Sequence, residues 1–283
     1  MGRNLKITLA YDGSEFHGWQ VQPGLPTVQG TLAECLKRLT GEDVLPQGSG
    51  RTDAGVHALA QVASVQLESP IPERNLVIAL NDMLPASVRV NSVEVVPDDY
   101  HARHSAKAKI YRYRIYRSDI CPPFLARYVY HDPYPIDEEA LMRSSDQVVG
   151  KHDFTSFAAS DPDRSARIAE ATPASISGAR FWTDQGGLAG EGEHGGPSSS
   201  GIVTNVRTIH SSLWARTREE LVYTVRGDGF LHHMVRNLVG TFLLVGKGSL
   251  KISDVPTILE ARNRSAAGPT AAACGLYLVS VEY

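Results

Sequence analysis

Residues Gly48 to Ala58 read GSGRTDAGVHA, which puts three glycines, a guanidinium at Arg51, a carboxylate at Asp53 and an imidazole at His57 into a segment with almost no apolar bulk. Glycine accepts positive φ and lets another backbone come close, so Gly48, Gly50 and Gly55 suit a tight loop open to a large ligand. A carboxylate two residues after a cation on such a loop is placed to act as nucleophile or base. An Asx-turn, with Asp53 capping its own backbone, accounts for the same residues equally well. The loop alone leaves both readings open.

A second segment carries a different chemistry. HARHSAKAKIYRYRIYR, from His101 to Arg117, holds six Lys/Arg, two His, three Tyr and no acid, inside a chain whose net charge is −3. That local density suggests a surface for phosphates and bases, and a solvated strand face is the plainer alternative. Metal chemistry is not expected. His232 and His233 are adjacent, and neighbours on a helix point about 100° apart, too divergent to share an ion. No HExxH cluster is present. His233 is expected to pack, or to touch RNA, one turn before Arg236. Cys35, Cys121 and Cys274 are odd in number and far apart, which suggests neither a disulfide framework nor a metal knuckle.

The elements that must hold these residues follow from hydrophobic period. Alternation of Leu5, Ile7 and Leu9 predicts a strand over Asn4 to Tyr11. Thr27 is a candidate N-cap for a helix whose face carries Val28, Leu32, Leu36 and Leu39. A short strand near Val44, a strand over Gln61 to Leu67, a helix over Glu73 to Leu84 and a strand over Val88 to Val96 complete the order βαββαβ. The same order recurs: a strand over Lys109 to Tyr116, a helix over Asp137 to Val149, and strands over Val203 to Leu213 and Glu220 to Arg226. A helix from Gly229 to Val245 and a strand over Leu276 to Val281 close it, with an extra helix over Val255 to Arg262 before that strand. This predicts an α+β fold of two tandem split-βαβ (ferredoxin-like) halves with antiparallel sheets, residues 1–103 and 104–283. The tract at 161–202 contains DQGGLAGEGEHGGPSSSG, too poor in apolar residues to order itself, and is expected to be a mobile insertion. A composition of 42% hydrophobic and 21% charged residues is that of a soluble globular chain. No apolar run nears the roughly 18 residues that span a bilayer, and the start MGRNLKITLAYDG has no signal-peptide pattern, so no membrane and a cytoplasmic location are expected.

GRTDAGVHA resembles the signature of the tRNA pseudouridine synthase A family. YDGSEFHGWQ, PDDYHARHSA, YRYRIY, DFTSF, FLHHMVRNLVG and GLYLVSVEY follow the family's pattern in the same order along the chain. The resemblance implies the pseudouridine synthase fold, with sheets joined across a central cleft. It implies an isomerase that turns uridine into pseudouridine, without cofactor or metal, at positions 38–40 of the tRNA anticodon stem-loop, and that works as a homodimer. It further implies Asp53 as nucleophile, Arg236 as its ion-pair partner, and Tyr111 stacking on the flipped uracil, with its phenol available to help remove the C5 proton. Arg51 would act in base flipping, and Leu276 and Tyr277 would wall the pocket. Tyr100, His101, Ala102, Arg103 and His104 would meet the RNA, and His57 falls to structural support. One departure stands out: about forty residues separate DFTSF from TNVRTI, so either Arg164 or Arg167 could fill the remaining RNA-binding position. A non-catalytic RNA-binding protein with ferredoxin-like halves is the alternative, and it leaves Asp53 and Arg236 without a purpose. A metal-free hydrolase acting on a small substrate explains Asp53 but leaves Tyr111 and the basic segment over.

Overall fold

The computed structural model describes residues 2–159 and 204–283. Among them, in chain order, are β1 (Arg3–Tyr11), α1 (Val28–Thr40), β2 (Gln47–Gly48), β3 (His57–Leu67), α2 (Glu73–Met83), β4 (Val88–Val96) and β5 (Ala108–Tyr116). There follow β6 (Tyr130–His131), α3 (Glu138–Asp146), β7 (Gly150–Asp153), β8 (Val206–Thr217), β9 (Glu220–Gly227), α4 (Met234–Gly246), α5 (Asp254–Ala261) and β10 (Leu276–Glu282). All ten strands join one mixed sheet in the order β4-β1-β3-β10-β5-β9-β8-β7, with β2 on β3 and β6 on β5. The fold is therefore of mixed α+β class.

Local sequence explains the main elements. Leu5, Ile7 and Leu9 of β1 are fully buried, and each contributes about 2 kcal/mol by leaving water. Helix α1 begins where the Thr27 hydroxyl accepts from the Gly30 N–H at 3.3 Å and ends at Gly41, whose φ of 79° only glycine adopts freely. Its apolar face, Val28, Leu32 and Leu36, belongs to one core that also takes in α2, α4 and the strands on both sides of β10.

The element order follows the sequence reading, with local differences: β3 starts at His57 and not at Gln61, and β8 covers Val206–Thr217 and not Val203 to Leu213. The strand expected near Val44 forms at Gln47–Gly48, where it pairs with Ser64 and Ala63 of β3. Strands β6 and β7 were not expected, being only two and four residues long and too short to show a period. Helix α3 stops at Asp146, and the chain turns into β7 through Gly150, at φ 109°. Helix α4 begins at Met234 and not near Gly229, because His233 stands at φ 59°, outside helical space. The 161–202 tract and Arg164 lie outside the described residues. No helix among the described residues is long and apolar enough to cross a membrane.

β10 follows every other strand in the chain and lies in the middle of the sheet. It runs parallel to β3, with Tyr277 opposite His57, and antiparallel to β5, with Leu276 opposite Tyr113 and Leu278 opposite Tyr111. The loop ahead of β3 thereby comes beside β5.

Candidate active site

The segment carrying Asp53 is tied down residue by residue. Ser49 donates its N–H to the Val62 carbonyl at 2.7 Å and its hydroxyl to Gln61 Oε1 at 2.7 Å. Gln61 donates to the Gly50 carbonyl at 3.0 Å, and Tyr11 and Thr52 share a hydroxyl bond of 2.8 Å. The Trp19 N–H reaches the Thr52 carbonyl at 3.0 Å. Gly18 makes that approach possible: it stands at φ 87°, and a Cβ there would lie 2.5 Å from the Thr52 oxygen. The motif YDGSEFHGWQ is thus the cradle of the Asp53 loop. Behind Asp53 the Val56 N–H closes a turn onto the Asp53 carbonyl at 3.1 Å, through Gly55 at φ 76°.

The Asp53 side chain reaches away from this turn. Its Oδ2 accepts from Arg236 Nη1 at 2.9 Å, across 183 residues of sequence, and the two side chains are 18% and 14% exposed. Arg236 is itself fixed, because its Nε donates to the Ala271 carbonyl at 2.7 Å. The carboxylate is therefore aimed by a second element of the chain, and a self-capping turn does not describe it.

His232 and His233 correct the sequence argument about them. They precede α4 instead of lying on it, and the left-handed His233 backbone brings the two rings to 4.0 Å. His233 Nε2 lies 3.4 Å from Asp53 Oδ2, and His232 Nε2 lies 3.7 Å from Oδ1. The three side chains could share one ion, all ligand atoms being within 4.8 Å of one another. Against a cation there stands the Arg236 guanidinium on the same carboxylate, already supplying its counter-charge. Burial lowers the His233 imidazole, the pull of Asp53 notwithstanding, so it is neutral at pH 7.

Tyr111 lies on β5 close enough to Asp53 to feel its charge, with the Phe230 ring edge-on at 5.0 Å. Burial above all, with Tyr11 and Asp53 adding to it, pushes the Tyr111 phenol far above its usual value. It stays protonated at neutral pH and is a poor acceptor for a C5 proton, so what it offers a base is its ring face. Leu276 and Leu278 stand opposite Tyr113 and Tyr111 and share their side of the sheet. Tyr277 stands opposite Arg112 and points to the other side, where it stacks on His57 at 4.8 Å. The structure thus brings Asp53, Arg236, Tyr111 and Leu276 to one side of the sheet and sets Tyr277 on the other. Arg51 is half-buried in the Asp53 loop.

The basic segment is not one surface. Arg114 forks onto Glu220 at 2.6 and 2.8 Å, and Arg117 donates to the Asp132 carbonyl, so both serve the fold. Upstream, Ala102 is buried and anchors its turn by donating to Ser64 Oγ at 3.1 Å. Its carbonyl accepts from Tyr283 at 2.7 Å, and the Tyr100 ring packs on Tyr283 at 5.1 Å. The His101 Nδ1 accepts the Arg103 N–H at 3.0 Å, which leaves the Arg103 and His104 side chains exposed. His232 and Phe230 carry no role in the sequence reading, which gives His233 only packing or an RNA contact; the signal for all three is adjacency to Arg236 in FLHHMVRN.

A carboxylate clamped by an arginine from a distant helix lies beside a tyrosine on a central strand, an arrangement that a simple RNA-binding surface does not call for. The chain belongs to the tRNA pseudouridine synthase family, whose sequence pattern matches residues 7–105 and 195–283. It is 47% identical to the tRNA pseudouridine synthase A of Solibacter usitatus over 281 residues, covering 99% of this chain and all of that one. It is 43% identical to the enzyme of that name from Moorella thermoacetica, over 99% of both chains. To that of Caldicellulosiruptor bescii it is 36% identical, over 99% of this chain and all of the other. The protein is accordingly an isomerase that converts uridine to pseudouridine in tRNA.

Proposed function

We propose that Asp53 is the nucleophile of this isomerisation and that its uridines lie in the anticodon stem-loop. The carboxylate bonds to ribose C1′ as the C1′–N1 bond breaks and its electron pair leaves on the uracil. The freed base turns, C5 bonds to C1′, and the carboxylate departs. The C5 proton passes to water and N1 takes one up, so the sum is an isomerisation with no co-reactant. Arg236 holds the carboxylate at its angle of attack, and Tyr111 receives the face of the flipped base, a stacking contact worth about 1–3 kcal/mol. Arg51 enters the RNA at the position the base vacates, with Leu276 walling the pocket. Tyr100 to His104 meet the RNA backbone through Arg103 and His104, and Arg164 adds a further contact.

The Asp53–Arg236 bond supports this reading most, since it aims a carboxylate across two distant parts of the chain at the cost of fixing both. We read residues 1–103 and 104–283 as two halves of split-βαβ type: β1 lies between β3 and β4 as β5 lies between β9 and β10. A homodimer that shares one tRNA, working in the cytoplasm, completes the proposal. The test is pseudouridine mapping on tRNA from cells lacking the protein and from cells carrying only Asp53→Ala. Modification lost from the anticodon arm in both is expected; an active Asp53→Ala enzyme overturns the assignment.

A further inference from the structure

Lys109 sits two residues before Tyr111 on β5, hence on the same side of the sheet and about 7 Å along the strand. Its ammonium donates to the Ser49 carbonyl at 2.6 Å, and a Cβ on Gly50 would come within 2.8 Å of it. It therefore grips the Asp53 loop from the neighbouring strand, four residues before Asp53 itself. Among the described residues no carboxylate pairs with it. Its charged neighbours are cations, Arg103 from the exposed turn after β4 and Arg207 from β8, with Asp228 close to Arg207 only. The ladder partners Gly227 and Val281 carry no charge.

A desolvated ammonium that two guanidiniums repel is unfavourable in the free protein. Burial first, then repulsion from Arg103 and Arg207, brings Lys109 down to about 8. The Ser49 carbonyl needs a donor there but not a full charge, since a neutral amine donates to it as well. A polyanion would reverse the sign of the energy, since one phosphate between three cations satisfies all of them.

We propose that Arg103, Lys109 and Arg207 form the seat of one RNA phosphate next to the target nucleotide, and that Lys109 is a positioning residue joining that phosphate to the Asp53 loop. The Lys109–Tyr111 spacing lies within the reach of a single nucleotide from phosphate to base, so the strand that stacks the base also holds its backbone. Backbone capture and alignment of Asp53 then become one event. The inference rests on the active-site reading above, yet its binding arm does not depend on what Asp53 does.

The test uses the full chain and intact tRNA, with the variants Lys109→Met, Lys109→Arg and Arg207→Gln. For wild type, affinity for tRNA is expected to fall about tenfold as pH rises through about 8, one charge-assisted contact being lost as Lys109 deprotonates. Lys109→Met should remove that inflection, lower the slope of log affinity against log salt by about one, and slow single-turnover pseudouridine formation at saturating tRNA. Lys109→Arg should restore the salt slope and abolish the inflection, because guanidinium does not titrate in this range. Arg207→Gln should lower the slope by about one and keep the inflection. A Lys109→Met enzyme with the wild-type salt slope, or a wild-type affinity flat from pH 7 to pH 9, overturns the proposal. Should Lys109→Met not fold, the wild-type and Lys109→Arg pH profiles decide alone. An active Asp53→Ala enzyme with these binding results intact would sink the nucleophile and leave the phosphate seat standing.

Discussion

Beside Tyr111, on one side of the β5–β10 ladder, stand Asp53, His233 and Arg236; on the other side stand Asp12, His57, Tyr277 and Arg114. The inventories nearly match: an aspartate, a histidine, a tyrosine and an arginine each. In the second cluster every valence is closed. His57 Nδ1 accepts the Gly13 N–H at 3.1 Å, which fixes the tautomer that donates from Nε2 to the Arg127 carbonyl at 3.1 Å. Tyr128 donates to Asp12 at 2.9 Å, Tyr277 donates to the Tyr128 carbonyl at 2.6 Å, and Arg114 is spent on Glu220. His57 is 2% exposed. Asp12 takes three hydrogen bonds, from the Ser14 N–H, the Ser14 hydroxyl and Tyr128. In the first cluster, among the described residues, Asp53 takes one, from Arg236, and a strained His233 backbone is held at φ 59°. Residue types do not separate the two clusters; the bonding capacity left on the carboxylate does.

The contrast can be broken most forcefully at Asp53. Asp53→Ala should cut single-turnover pseudouridine formation more than about a thousandfold, as loss of a nucleophile does, while tRNA binding and melting temperature stay close to wild type. Next comes Arg236→Lys, which keeps a positive charge but loses the fork that grips both Asp53 and the Ala271 carbonyl. It should lower the rate at saturating tRNA about a hundredfold, a loss typical of misplaced reacting groups.

His57→Ala should do the opposite. It leaves the buried Gly13 N–H without its acceptor, opens a cavity, and costs about 2–4 kcal/mol in urea unfolding, with the rate per folded molecule kept. A His57→Ala enzyme that folds normally and does not react would erase the distinction between the clusters.

pH offers a subtler separation. Burial lowers His57 below 6.5, so the unfolded chain binds the proton more readily. Its contribution to stability is complete above about pH 6.5 and is lost as pH falls through the folded value. A urea midpoint that declines below pH 6.5 in wild type, and less so in His57→Phe, is expected. Smallest of all, Tyr277→Phe gives up the bond to the Tyr128 carbonyl and a long one from Arg114, and should cost about 1 kcal/mol without changing the rate.

Much of this was legible in the sequence. Alternation in β1, the Thr27 cap and the order of the long elements follow from local chemistry, whereas the pairing of Asp53 with Arg236 comes from the family resemblance, and the structure sets the two 2.9 Å apart. The side taken by Tyr277 was also readable: a period of two sends Leu276 and Leu278 one way and Tyr277 the other. Other features depend on pairings distant in sequence. That β10 would lie parallel to β3 at His57, bringing Tyr111 and Asp53 together, is written in no local pattern. The left-handed His233 is likewise set by tertiary packing, and it overturned an argument that assumed a helix there. Lys109 read as one more charge in a basic run, because burial and partners cannot be seen from composition.

The position of β10 has a consequence for how the molecule comes to exist. The strand that follows all others in the chain is the one that fills the middle of the sheet, so until it docks, β3 and β5 present two bare, adhesive edges. Such long-range closure is slow, and the gap invites strands from other molecules in the meantime. The Asp53 loop and the strand that carries Tyr111 are thereby aligned only once the last strand is set between them.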